Sequence, residues 1–126
     1  MTMATMKSDL VGISLSAACV VHCLLLPVAV LAAPTWNAWF GDTENTLHWV
    51  LFVVALAVSG YALTAGYRRH GARSVPTLGV IGLLIMLAAA AHVFGRSTEA
   101  VLTVAGAVVV GAAHLLNVRL MAAAHP

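Results

Sequence analysis

Cys19-Val20-Val21-His22-Cys23 is the stretch of this chain best equipped to do chemistry. On a helix, positions i, i+3 and i+4 share one face, so both thiols and the imidazole fall within about 100° of arc. Ser16 extends the same stripe by one turn. Thiolates select soft ions such as Hg(II) or Cu(I) and also bind zinc. Two of them neutralise a divalent ion, which lowers the cost of holding its charge in an apolar medium. The competing reading is packing, because a buried cysteine often behaves as a small hydrophobe. A disulfide within one regular helix does not meet the required geometry.

The elements that carry these residues follow from composition. Of 126 residues, 62% are hydrophobic and 8% are charged, against about 25% charged in soluble domains. Ten charged side chains cannot cover a water-soluble surface, which excludes a soluble enzyme or nucleic-acid binder. No Asp, Glu, Lys or Arg falls between Asp9 and Asp42, Glu44 and Arg68, Arg73 and Arg96, or Glu99 and Arg119. Each gap can hold the roughly 20 apolar residues that cross a bilayer. The expectation is an all-α membrane protein, a single domain over residues 1–126 built as a four-transmembrane-helix bundle. Its spans are expected near 10–32, 46–66, 77–95 and 99–119. The first run is too long for a signal-peptide core. An outer-membrane barrel would alternate, and these runs do not.

Orientation follows from the basic residues. With the N-terminus inside, Lys7, Arg68, Arg69, Arg73 and Arg119 lie on the inner side and only Arg96 on the outer. Both termini are therefore expected in the cytoplasm. Cys19, His22 and Cys23 then lie near the bilayer middle. His48 and His92 lie at a similar outer depth, where with Glu44 and Glu99 they could receive an ion. His114 and Asn117, three residues apart on one face, sit in the inner third and lead toward the cytosol. Pro27, one turn beyond Cys23, is expected to kink its helix. His70, beside Arg69 and Gly71, reads as a solvated loop residue.

These residues resemble a known pattern. Asp9-x-x-Gly12-x-x-x-Ser16-x-x-Cys19-x-x-His22-Cys23-x-x-x-Pro27 is followed by Glu44-x-x-x-His48 and Gly66-Tyr67-Arg68-x-His70. Glu99-x-x-Leu102-Thr103-Val104-x-Gly106 and Ala113-His114-x-x-Asn117-x-Arg119 complete it. The chain is similar to the MerC-domain family, small four-helix inner-membrane proteins of mercury resistance. The resemblance implies uptake of Hg(II) across a bacterial inner membrane, with Cys19 and Cys23 as intramembrane ligands and a cytosolic metal-trapping protein as acceptor.

The expected function is a metal-ion transporter or binding protein, not an enzyme. Its candidate metal residues are Cys19, His22, Cys23, His48, His92, His114, Glu44, Glu99 and Asn117. Expected partners are the lipid bilayer, a Hg2+ or Zn2+ ion and a second copy of the chain; no resident cofactor and no nucleic acid is expected. One alternative is a zinc transporter or a metal sensor. Another is a b-type haem electron carrier, with His48 and His92 as axial ligands.

Overall fold

A computed structural model describes residues 3–32 and 37–124. Four helices follow one another: α1 (Met3–Ala32), α2 (Asn37–His70), α3 (Ser74–Ala90) and α4 (Arg96–Ala123). No strand occurs among the described residues. The N-terminus of α1 and the C-termini of α2 and α4 share one end of the bundle, called here the terminal end. The N-termini of α2 and α4 and the C-terminus of α3 form the far end.

α1, α2 and α4 contain segments long and apolar enough to cross a membrane, namely Met6–Leu25, Thr46–His70 and Thr98–Ala123. α3 is equally apolar but has 17 residues, about 25 Å at 1.5 Å per residue. It is shorter than the 77–95 span expected for it, and its C-terminus explains why. His92 adopts φ 53°, the left-handed conformation. His92 N–H then bonds Ala89 O at 2.9 Å and Val93 N–H bonds Ala88 O at 3.1 Å, the pair of bonds that closes a Schellman motif. At its other end Pro76 falls in the first turn, where no backbone N–H is needed. α2 runs past its charges to His70, because Arg68, Arg69 and His70 suit a helix C-terminus. Gly71, at φ 72°, stops it. α1 continues through Pro27 without interruption.

α4 packs against all three other helices, and α2 contacts each of them as well. α3 and α4 approach closely at Gly82 and Gly106, where a Cβ on either residue would come within 2.9 Å of the other's carbonyl oxygen. Small residues permit this backbone approach in membranes. Cys19, Phe52, Ala55, Leu83, Met86, Ala107 and Val110 form the larger core cluster.

Polarity is arranged inside out. Leu24, Leu25, Val28, Leu84 and Val101 are exposed, while Asp9, Ser16, His48, Ser59, Thr103, His114 and Asn117 are buried. An apolar exterior around a polar interior is what a hydrocarbon solvent requires.

Candidate metal site between the helices

Cys19 and Cys23 are both buried, as thiols and not as a disulfide. They face the bundle because the turn of helix between them keeps residues i and i+4 on one side. With His22 from the same helix they line a cavity completed by His48, Leu51 and Phe52 from α2, Met86 and Ala90 from α3 and Thr103 from α4. The imidazoles of His22 and His48 meet edge-on, with centroids 5.9 Å apart. Nε2 of each ring is buried without a hydrogen-bond partner.

Buried polar atoms normally find partners, so two orphaned ring nitrogens beside two thiols mark a place suited to a ligand. Among the described residues, no three His, Cys, Asp or Glu side chains already stand at metal-binding separation. Ligation therefore requires these side chains to draw together.

The far end supplies a support for His48. Its Nδ1 lies 2.6 Å from Glu99 Oε1, while His92 Nε2 lies 2.9 Å from Glu99 Oε2. α2, α4 and the turn that follows α3 thus meet on one carboxylate. Glu99 also sits in the first turn of α4, where the helix dipole favours an anion. Three of the four residues expected at this depth are brought together. Glu44 lies outside the described side chains.

At the terminal end, His114 and Asn117 join a second polar cluster. His114 Nδ1–H donates to Asp9 Oδ1 at 2.8 Å, and Ser59 Oγ–H donates to His114 Nε2 at 3.1 Å. The Asn117 amide donates to both Asp9 oxygens, at 3.1 and 3.0 Å, and to the Ala62 carbonyl at 3.2 Å. Asp9, His114 and Asn117 are each 0% exposed. Both ring nitrogens of His114 are engaged, so this histidine presents no spare donor atom to an ion in this arrangement.

His70 departs from its expected place. It is half-buried, accepts from Ala72 N–H through Nδ1 at 3.0 Å and donates through Nε2 to Asn117 Oδ1 at 2.9 Å. α2 continues through His70 and packs against α4, which sets the ring on Asn117 instead of releasing it to solvent, and the turn at Gly71 brings the Ala72 N–H onto Nδ1. Asp9, Ser59 and His70 were absent from the candidate set. Asp9 offered a signal, since it is the last charge before the long apolar run.

Two glycines make room for the cluster. A Cβ on Gly12 would strike the His114 imidazole, and one on Gly66 would strike the Asn117 amide.

No curated protein and no solved structure matches the chain. One family does. The family model described as MerC mercury resistance protein matches residues 9–119, from the buried aspartate at the start of the polar cluster to the basic residue that follows Asn117. The chain belongs to this MerC family of mercury-resistance membrane proteins.

Proposed function

We propose that the protein carries mercuric ion inward across a bacterial inner membrane, with Cys19 and Cys23 as its mid-membrane ligands. The observation that carries this reading is the cavity lined by Cys19, Cys23, His22 and His48, whose two imidazoles each keep a buried Nε2 without a partner. Metal-binding histidines commonly donate their other ring N–H to a carboxylate, which fixes the tautomer and aims the remaining lone pair. Glu99 does this for His48.

In the proposed orientation both termini are cytoplasmic and the far end faces outward. His92 and Glu99 meet the ion first, and His48 passes it to the thiols. The two thiols release their protons as they bind, and a bis-thiolate of a divalent ion is neutral, the state a bilayer tolerates best. Both cysteines of this sequence line the cavity, and a thiol acceptor on the cytosolic side takes the ion from them. Zinc is the alternative cargo, favoured by the imidazoles. The haem reading loses its support, because Glu99 stands between the two imidazoles that would have to ligate an iron from opposite faces.

The test is Hg(II) and Zn(II) uptake into proteoliposomes loaded with a thiol trap, comparing the parent with Cys19→Ser/Cys23→Ser. Uptake that disappears in the double variant supports transport through the thiols. Equal uptake by both proteins overturns it.

A further inference from the structure

Two cavities lie in succession along the bundle. The first is the thiol–imidazole cavity; the second, nearer the terminal end, is lined by Gly12, Ser16, Ser59 and apolar neighbours. Cys19 and Met86 are common to both linings. A thiol from α1 and a thioether from α3 therefore stand where the two cavities adjoin.

Methionine often fills gaps in a core, and three observations set this one apart from filling. It is 6% exposed yet lines two cavities. Gly106 leaves space for it, since a Cβ there would come 2.6 Å from Met86 Cγ. It shares its outer cavity with two cysteines and two unpartnered imidazole nitrogens, one of them on His48, which is 8% exposed.

Building on the reading that this cavity binds a metal ion, we propose that Met86 is a third sulfur ligand and that the site takes soft d10 ions, Hg(II), Cu(I) or Ag(I), in preference to zinc. A thioether is a soft, uncharged donor, matched to such ions. Zinc in proteins is held by thiolate, imidazole and carboxylate. The thioether loses no proton on binding and adds no charge, so a mercuric bis-thiolate remains neutral while gaining a contact. Its unbranched side chain can follow the ion from one cavity toward the next.

The experiment uses the full-length protein labelled with selenomethionine and loaded with Cu(I), whose X-ray absorption fine structure separates selenium from sulfur neighbours. A copper–selenium shell is expected in the parent. It should vanish in Met86→Leu and persist in Met121→Leu, a control at another buried methionine. Leucine conserves volume, so folding is retained and can be checked by circular dichroism. Cu(I) affinity should fall about tenfold in Met86→Leu, the lower end of what losing a supporting group at a metal site costs, while zinc affinity should not change. Bound copper with no selenium shell overturns the role of Met86 and leaves the thiol site standing. Binding of Hg(II) without Cu(I) overturns it too. Failure to bind either ion overturns the metal reading on which it rests.

Discussion

His48 Nδ1 lies 2.6 Å from Glu99 Oε1, and the other nitrogen of the same ring is buried without a partner. The relationship joins the two halves of the proposed site. A carboxylate on α4 sets the ring of α2, and that ring borders the cavity holding both thiols. Because Glu99 also contacts His92, the imidazole in the turn after α3 is tied through this carboxylate to the ring that borders the thiol cavity.

Replacing Glu99 tests that linkage. Glu99→Gln keeps the shape and one acceptor oxygen but removes the charge that holds two imidazoles. Metal affinity is expected to fall by about 10- to 100-fold, the usual effect of losing a supporting carboxylate. Competition against a soluble thiol chelator measures it. An unchanged affinity would detach His48 from the site.

His92 offers a separate test of backbone strain. Its φ of 53° is a conformation that glycine adopts freely and other residues adopt at a cost on the order of 1 kcal/mol. His92→Gly and His92→Ala both lose the contact to Glu99, but only glycine relieves the strain. The glycine variant should be more stable by about 1 kcal/mol. Unfolding midpoints in detergent provide the comparison, and equal midpoints would show that the turn carries no strain.

Asp9 clasps α1 to α4 through three hydrogen bonds, two from Asn117 and one from His114. Asp9→Ala leaves those donors buried and unmet, with an expected loss of about 3 kcal/mol. Asp9→Asn retains an acceptor and should lose less, about 1 kcal/mol. Equilibrium unfolding in mixed micelles separates the two. Equal losses would mean that the acceptor kept by asparagine does not replace the carboxylate.

The approach of α1 to α4 at Gly12 gives a further prediction. Gly12→Ala places a methyl group on the His114 imidazole, so the helices must part or the ring must turn. Overpacking of this kind costs about 1–3 kcal/mol. Gly60→Ala is the control, because nothing lies within 4 Å of its Cβ position. The unfolding temperature should be lowered in the first variant and unchanged or slightly raised in the second, because alanine favours the helix over glycine.

The extent to which the sequence alone determines this protein follows from where its information is local. Charge-free runs set the number and approximate positions of the helices, because crossing hydrocarbon depends only on length and apolarity. The i, i+3, i+4 spacing placed Cys19, His22 and Cys23 on one face, because that relationship lies within a single helix. Helix ends were less legible. Arg68 and Arg69 looked like a boundary, yet basic residues suit a helix C-terminus, and only the left-handed Gly71 ends α2.

The rotation of each helix about its own axis was decided by tertiary structure alone. In a soluble protein the apolar stripe points to the core, whereas a membrane helix is apolar all round and its pattern does not say which face is inside. Nothing local therefore indicated that His48 of α2 and Met86 of α3 would join the thiols. Nor did it indicate that Asp9, 105 residues from His114, would bond to its imidazole. His70 shows the same limit. Its neighbours along the chain suggest solvent, and only the packing of α2 against α4 brings it to Asn117. Composition and spacing determined what chemistry the chain carries, and helix packing determined which of those groups meet, because meeting depends on rotations that a uniformly apolar surface does not encode.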